Sequence, residues 1–323
     1  MGERNKRYFV GIDVGGTHFA IGVVDGEGKL LAKHTMPTGA GRPFGVIVKE
    51  MADTAKRLVV RAGLAESRIG SVGIGVPSTI DSKTGHLIFA NNLDWRDLDL
   101  IGEFRKSWDV PVYVENDADC AALAESMDDA AKGKNTLLIT FGTGFGGGLI
   151  MNGKIFKGGD NSGFEPGHFV LFHKGIQCTC GNYGCVEAYA SVSALVRQTK
   201  EKMQACPDSL MWKECGADPE KVNGRTAFDA AKKGDAAAKE VVDAYIVYAA
   251  LSIANLVTLF RPELIIIGGG LSAEGDYLIK PLYETAKSRI YAGELLGMPP
   301  IVPARLGNDA GIIGAALLGT VHI

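Results

Sequence analysis

The stretch YFVGIDVGGTHFAIGVVD, Tyr8 to Asp25, decides the fold. Two apolar, β-branched runs flank the pair Gly15 and Gly16, and glycines permit the positive backbone angles that a tight turn between strands requires. After the turn GEG, the run KLLAKHTMP continues the same pattern. The sequence therefore predicts an antiparallel meander of three strands.

Helices and strands alternate after this meander. Apolar residues recur near helical spacing from about Gly45 to Arg61. The runs SVGIGVP and VPVYVEN are typical of buried strands, and a helix is predicted between them near Leu100 to Ser107. Strands that alternate with helices indicate an α/β domain.

The opening pattern restarts at Asn135, with TLLITF, the glycine turn GTGFGGG, LIM, the turn NG and KIFKG in succession. A period of about 127 residues is far too long for a solenoid repeat, so we expect two related domains that face each other. Two unrelated glycine-rich hairpins remain the alternative. The restart predicts a domain boundary near residues 118 to 125.

The rest of the chain is predicted to be mostly helical. Its predicted elements include a long helix from about Ala236 to Phe260, the strand ELIIIGG and a terminal helix NDAGIIGAALLG.

Composition excludes several classes of protein. The 323 residues are 46% hydrophobic and 22% charged, with a formal net charge of -3. This is a globular composition without the basic footprint that nucleic acid or anionic lipid would require. Because the apolar run before Asp13 is too short for a signal-peptide core or a membrane span, we expect a cytoplasmic protein with no membrane or nucleic-acid partner.

Three glycine clusters indicate a nucleotide site. Turns such as Gly15–Gly16 and Gly142–Gly144 expose backbone N–H groups that can hold phosphate oxygens, although neither is a Walker loop or a dinucleotide fingerprint. A hairpin turn without a ligand is the alternative for either one alone; two of them favour a nucleotide held between domains. Asp13 is a candidate for Mg²⁺ binding or for capping its turn, and the cluster Gly268 to Gly270 would let a flat ligand approach the backbone.

The run VENDADCAALAE places Asn116 and Asp117 where a strand gives way to a helix. Both residue types are favoured as helix N-caps, which is the structural interpretation. The functional interpretation is that Asn116 orients a substrate hydroxyl and Asp117 accepts its proton. The residues alone leave both open.

His168, Cys178, Cys180 and Cys185 form a candidate metal site. One imidazole and three thiolates complete a tetrahedral zinc shell without an open position, so the zinc would be structural. The alternatives are a redox pair, which normally has two residues between its thiols, and a disulfide, which a cytoplasmic setting disfavours. We expect Gly181 and Gly184 to form the tight turns of this loop and the nearby His173 to be a turn residue rather than a ligand.

These motifs together resemble the ROK family of bacterial sugar kinases and repressors, from about Tyr8 to Leu318. The motifs that carry the resemblance are GIDVGGTH, ENDADCAALAE, TFGTGFGGGLI and EPGHFVLFHKGIQCTCGNYGCVEAYAS. The resemblance implies a two-domain α/β fold of the actin-like ATPase (ribonuclease H-like) kind, with sugar and ATP in the cleft between the domains. It implies a small domain at residues 1–121, a larger domain at 122–305 that carries the zinc loop, and a C-terminal helix, 306–323, that packs back on the small domain.

The resemblance also implies roles for single residues. Asp117 matches the catalytic base, and the residues that match sugar ligands are Asn92, Asn116, Asp117, Glu165, His168 and Glu187. The residues expected to bind ATP are Asp13, Gly15, Gly16, Thr17, Thr140, Gly142, Thr143, Gly144, Gly268, Gly269 and Gly270. The zinc ligands are His168, Cys178, Cys180 and Cys185. Many ROK kinases have Lys after Gly-Gly-Thr, and this chain has His18 there.

The implied activity is ATP-dependent phosphorylation of a hexose in carbohydrate metabolism. The resemblance implies ATP, Mg²⁺ and structural Zn²⁺ as cofactors and a homodimer as the oligomeric state. Glucose at its 6-hydroxyl, in glycolysis, is the first expectation; N-acetylmannosamine, N-acetylglucosamine, fructose, mannose and allose are alternatives. A sugar-sensing repressor is the alternative class. It is disfavoured because such a repressor needs an N-terminal helix-turn-helix module, whereas only seven residues precede the first predicted strand, and because the predicted base Asp117 is present. A hydrolase or chaperone-type ATPase would share the glycine turns but would have no use for the sugar loop.

Overall fold

The computed structural model describes residues 7–81, 84–90, 93–159 and 163–321. The elements of the first part of the chain are β1 (Tyr8–Val14), β2 (His18–Asp25), β3 (Leu30–Pro37), α1 (Phe44–Arg61), β4 (Ile69–Val76), β5 (Thr79–Asp81), β6 (His86–Ala90), β7 (Trp95–Asp99), α2 (Leu100–Arg105), β8 (Val112–Asn116) and α3 (Asp117–Ser126). The predicted α/β class is confirmed for this part, and the predicted strands and α1 agree with the structure within a few residues.

The later elements are β9 (Thr136–Phe141), β10 (Phe145–Met151), β11 (Lys154–Ile155), α4 (Glu187–Ala190), α5 (Val192–Ala205), α6 (Met211–Glu214), α7 (Thr226–Lys232), α8 (Ala236–Phe260), β12 (Leu264–Gly269), α9 (Asp276–Lys287), α10 (Gly293–Leu296), β13 (Ile301–Pro303) and α11 (Ala310–Val321). The prediction that this part is mostly helical is confirmed.

Backbone contacts divide the chain into two units. The first contains Met1–Thr136, Gly148–Phe164 and Arg305–Ile323, and the second contains Leu137–Gly147 and Glu165–Ala304. Because contact density alone does not define a domain that folds by itself, the domain limits 1–121 and 122–305 stay a prediction.

The first sheet has the strand order β3-β2-β1-β4-β8. Its meander is antiparallel as predicted, whereas β4 pairs in parallel with β1 and with β8. Side chains of β1 and β4 such as Val10, Ile12 and Ile74 are fully buried, and α1 covers them with one apolar face. Asp13 lies near the end of β1, and Asp117 directly follows the end of β8.

Helix α11 lies directly on this sheet because glycines remove the intervening side chains. A methyl group at Gly11 of β1 would lie 1.8 Å from the carbonyl oxygen of Ile312, and one at Gly73 of β4 would lie 1.7 Å from that of Ala315. On its other side, Gly314 of α11 approaches α3, where a methyl group would lie 1.7 Å from the carbonyl oxygen of Cys120. Any side chain at these positions would force the backbones apart.

The second sheet has the order β11-β10-β9-β12-β13, which repeats the order of the first. The predicted duplication is therefore confirmed. Strand β10 begins at Phe145, earlier than the predicted LIM, so Gly146 and Gly147 belong to a strand rather than to the turn. Gly147 serves close packing instead, since a methyl group there would lie 2.6 Å from the carbonyl oxygen of Leu138. The predicted strand KIFKG is reduced to Lys154–Ile155.

A further small sheet, β5-β6-β7, was not predicted. Its strands are three to five residues long and mix polar with apolar positions, and Asp94 and Asp97 have positive φ angles of 52°. Short irregular strands of this kind carry no clear period of two residues.

Helix α8 is the core helix of the second unit. Asp235 caps its start by accepting from the N–H of Ala238, and Arg261 ends it in the left-handed conformation with φ 48°. Among the described residues, this is the helix long and apolar enough to cross a membrane, but 61% of its most apolar window is buried inside the protein. Its apolar character is thus explained by packing.

Candidate active site and metal cluster

The first glycine turn joins β1 to β2 through Gly15, Gly16 and Thr17. The N–H of Gly15 donates to the carbonyl of His18 at 2.9 Å, and the N–H of Thr38 donates to the carbonyl of Thr17 at 2.9 Å. The hydroxyl of Thr38, which is fully buried, donates to the carbonyl of Gly15 at 2.7 Å. Thr38 was not predicted from the sequence, although the meander already implied that the end of β3 lies beside this turn.

Asp13, near the end of β1, faces the start of α11. A methyl group at Gly311 would lie 2.6 Å from Oδ2 of Asp13, so only glycine leaves room for this carboxylate. The pKa of Asp13 is raised from 3.8 to about 7, mainly by burial and also by the negative charge of Asp117, while Lys33 partly offsets both effects. Asp13 and Asp117 therefore belong to one electrostatic site in the first unit.

Asn116 and Asp117 lie at the junction of β8 and α3, as predicted. The Oδ1 atom of Asn116 accepts from the N–H groups of Ala118 at 2.8 Å and Asp119 at 3.3 Å, and its Nδ2 donates to the carbonyl of Ser78 at 3.3 Å. The N-cap interpretation is confirmed for Asn116.

Asp117 is the first residue of α3 and is partly buried. Its Oδ1 accepts from the N–H of Ala118 at 2.9 Å. Burial raises the pKa of Asp117, and the hydrogen bond from Ala118 offsets part of that rise. A raised pKa makes a carboxylate a stronger proton acceptor, which is the property that a general base needs.

The second glycine turn, Gly142 to Gly144, connects β9 to β10 just after Thr140. The N–H of Val192, at the start of α5, donates to the carbonyl of Gly142 at 2.9 Å, and the hydroxyl of Ser193 donates to that of Thr143 at 2.7 Å. The start of α5 thus holds the turn in place.

The third glycine cluster approaches the same turn within the second unit. Gly268 and Gly269 end β12, and Gly270 begins a short 3-10 helix, Gly270–Glu274. Gly269 has φ +80°, and a methyl group there would lie 2.2 Å from the carbonyl oxygen of Phe141, while the space beside Gly270 is open. Gly268 is buried and Gly269 and Gly270 are exposed, so a flat ligand could approach the backbone at the end of this cluster, beside Gly270.

His168, Cys178, Cys180 and Cys185 come together as predicted. Their ligand atoms all lie within 4.8 Å of one another. Nδ1 of His168 lies 3.8 Å from Sγ of Cys178, and Sγ of Cys180 lies 3.7 Å from that of Cys185. Zinc–sulfur bonds are about 2.3 Å long, so two ligand atoms of a tetrahedral zinc site lie about 3.8 Å apart. The distances in this cluster agree with that value. The donor set and its spacing fit a zinc ion.

The thiols of this cluster are not joined to one another. All six cysteines lie within the described residues and are free, which agrees with the expectation that no disulfide forms. The pKa of Cys185 is raised to about 12, mainly by burial and also by the neighbouring Cys180 and Cys178. The thiolate form of Cys185 is therefore unfavourable by itself, so three thiolates at this site require a cation bound among them. Gly181 and Gly184 have φ of 93° and 78°, as the predicted turns require, and the exposed His173 lies outside the cluster.

Two predicted sugar ligands flank the cluster. Oε2 of Glu187 accepts from the N–H of Phe145 at 3.1 Å, and its Oε1 accepts from the hydroxyl of Thr179 at 3.0 Å. Glu187 thus connects the cysteine loop to the second glycine turn. Glu165 is exposed, and its carbonyl accepts from the N–H of His168 at 3.0 Å. The remaining predicted ligand, Asn92, lies outside the described residues.

Comparison with known proteins identifies the family. The model of the ROK family matches residues 9–321. A glucokinase from Thermotoga maritima is 36% identical over 313 residues, which cover 96% of this chain and 96% of that protein. A ROK family glucokinase from Streptomyces griseus, solved in complex with glucose and AMPPNP, has a TM-score of 0.81 and 33% identity, covering 96% of this chain and 98% of that one. A ROK hexokinase from Thermus thermophilus has a TM-score of 0.83 and 31% identity, covering 98% of both chains.

The two sheets and the metal cluster are thus those of a family of actin-like ATPase fold. This chain belongs to the ROK family. The resemblance found in the sequence motifs is therefore confirmed.

The raised pKa of Asp13 predicts how stability depends on pH in the absence of metal and nucleotide. The folded protein holds the proton of Asp13 up to about pH 7, whereas the unfolded chain releases it near pH 3.8. The stabilising contribution of this proton is complete below pH 3.8 and is lost as the pH rises through 7. In EDTA, Asp13→Asn should be more stable than the native protein by a few kcal/mol at pH 8, and by less at pH 5.

Urea unfolding of both proteins at the two pH values measures this difference. Asp243→Asn, which changes an exposed carboxylate on α8, is the control and should show no such dependence. If the stability difference between Asp13→Asn and the native protein were the same at pH 5 and pH 8, the raised pKa of Asp13 would be contradicted.

Proposed function

We propose that this protein transfers the γ-phosphoryl group of ATP to a hexose, with glucose and its 6-hydroxyl as the preferred substrate. The observation that carries the proposal is Asp117, a partly buried carboxylate with a raised pKa at the start of α3. It belongs to the same unit as Asp13 and the first glycine turn. Support comes also from the glucokinase of Thermotoga maritima and from the Streptomyces griseus glucokinase bound to glucose and AMPPNP.

Asp117 would act as the general base. It takes the proton of the attacking sugar hydroxyl as the oxygen bonds to phosphorus, and its high pKa favours that transfer near neutral pH. Because Asn116 caps α3 and is held to Ser78, the peptide that carries Asp117 is fixed before substrate arrives. A fixed base loses less entropy when the reactants are aligned.

The glycine turns would bind the nucleotide. The N–H groups of Gly15 and Gly142 already donate to the carbonyls of His18 and Gly144, so the phosphate oxygens would be bound by the other N–H groups of the two turns, those of Gly16, Thr17, Thr143 and Gly144. The glycine cluster Gly268 to Gly270, which is exposed at Gly269 and Gly270, suits the adenosine. Asp13 would hold Mg²⁺, which prefers one or two carboxylates together with phosphate oxygens. A cation there would also relieve the energetic cost of the buried negative charge on Asp13.

Zinc would be held by His168, Cys178, Cys180 and Cys185, where it supplies structural order rather than chemistry. The ordered loop fixes His168 and Glu187 next to Glu165, so that these three side chains can hydrogen-bond the sugar ring. A loop that is ordered beforehand opposes sugar binding with less conformational entropy.

Alternative activities lie within the same family. Kinases for N-acetylmannosamine, N-acetylglucosamine, fructose, mannose or allose would use the same base and the same sugar loop. A sugar-sensing regulator would bind sugar without consuming ATP and would have no need for the raised pKa of Asp117. Homodimerisation, a place in glycolysis and a cytoplasmic location stay predictions.

An ADP-production assay over these hexoses tests the proposal. We expect turnover only when sugar is present, fastest with glucose, with glucose 6-phosphate as the product. Asp117→Ala should lower kcat by about 10²–10⁴-fold, because a positioned general base contributes that much, while circular dichroism shows an unchanged fold. The control Asp243→Asn should keep native turnover. ADP formation at the same rate without sugar would contradict the proposal.

Metal analysis tests the role of the cluster. We expect about one zinc per chain. Cys185→Ser should lose the zinc, lower the melting temperature and raise the KM for sugar, whereas Cys206→Ser, which lies outside the cluster, should retain the metal. A metal-free protein with native KM and melting temperature would show that the zinc assignment is wrong.

A further inference from the structure

A buried ion pair involves Glu115, two residues before the predicted base Asp117. Nζ of Lys157 contacts Oε1 of Glu115, and the two side chains are only 11% and 1% exposed. Lys157 follows β11, whereas Glu115 belongs to β8, so 42 residues separate them in sequence. Both belong to the first unit.

A gain in the free energy of unfolding does not explain why such a pair is present. Removing two charges from water costs about as much as their attraction returns, and an apolar pair of similar volume is often as stable. A buried pair does, however, fix the direction of both side chains, because either charge alone would be costly. The orientation of Glu115 is therefore the property that Lys157 controls.

Glu115 transmits that orientation to the catalytic junction. The oxygen that contacts Lys157, Oε1, also accepts from the backbone N–H of Asn116 at 2.7 Å. The side chain of Asn116 in turn caps α3 through Ala118 and Asp119, and Asp117 lies between these contacts. The peptide that carries the base is thus held on one side by Glu115 and on the other by the helix cap.

Lys157 is itself anchored by its backbone. Its carbonyl accepts from the N–H of Gly163 at 2.9 Å, and the preceding residue, Phe156, donates to the carbonyl of Leu149 at 2.7 Å. The ammonium group is therefore presented from a fixed backbone.

We propose that Lys157 is a positioning residue for Asp117, acting through Glu115 and the Asn116 peptide. The proposal rests on the proposed kinase function, in which Asp117 is the base. Without the ammonium group, the Glu115 carboxylate turns toward water, and its bond to the Asn116 N–H weakens. The base then samples orientations away from the attacking hydroxyl, which lowers kcat but leaves the groups that bind sugar and ATP in place.

The test compares Lys157→Met with the double variant Glu115→Gln/Lys157→Met. In the double variant a neutral amide oxygen still accepts from Asn116 and no buried charge lacks its partner. We expect Lys157→Met to lower kcat by at least about 10-fold, since small misplacements of a reacting group cost this much or more, with both KM values within about 3-fold of native. The double variant should recover kcat to within about 3-fold of native.

Lys56→Met is the matched control. Its ammonium group donates to the carbonyl of Ser107 at 2.5 Å in the first unit, and this contact involves neither Glu115 nor the residues at the start of α3. It should keep native kcat. Hydrogen exchange of a peptide covering residues 115–119 gives a readout that needs no activity: exchange should be faster in Lys157→Met and native in Lys56→Met.

Native kcat in Lys157→Met would overturn the proposal, and so would a double variant that stays as slow as the single one. Should Lys157→Met not fold, the comparison moves to Glu115→Leu/Lys157→Met, which also lacks both charges but offers Asn116 no acceptor. Equal kcat in the two double variants would then overturn it. Absence of sugar-dependent turnover in the native protein would contradict the kinase function instead, while native hydrogen exchange in Lys157→Met would contradict the positioning role.

Discussion

The close contact of α11 with the first sheet is the constraint on which the geometry around Asp13 and Asp117 depends. Gly11, Gly73 and Gly314 let backbone touch backbone at three points, where any side chain would overlap a carbonyl oxygen. The contact brings the start of α11 against Asp13 and its middle against α3, whose first residue is Asp117. The contact helps to bury Asp13, and burial is the largest cause of the raised pKa of both carboxylates.

In the second unit, the loop that carries His168, Cys178, Cys180 and Cys185 is ordered in a different way. Several apolar side chains of this loop, including Val170, Phe172, Ile176 and Tyr183, are exposed, so a hydrophobic core alone does not explain its shape. The four ligand atoms supply the missing constraint, because metal binding can provide the folding free energy that a small core lacks. Glu187 then carries the order of the loop to the glycine turn at Phe145.

The features that local sequence could predict are those encoded within a few residues. The meander, its glycine turn and the spacing of Cys178, Cys180 and Cys185 are local patterns, and the structure agrees with each. The start of β10 was missed because glycines that suggest a turn also permit close packing inside a strand. The contacts of Lys157 with Glu115 and of Asp13 with α11 join residues far apart in the chain, and no local period reports such pairs. The raised pKa values of Asp13 and Asp117 therefore could not be predicted from the sequence, although the two carboxylates themselves were.

A crystal structure of the protein with glucose and AMPPNP bound tests the central claim most directly. The account predicts an oxygen of Asp117 within about 3 Å of the sugar hydroxyl that points at the γ-phosphorus, as a general base requires. A carboxylate turned away from the sugar, with no ligand oxygen within hydrogen-bonding distance, would contradict it.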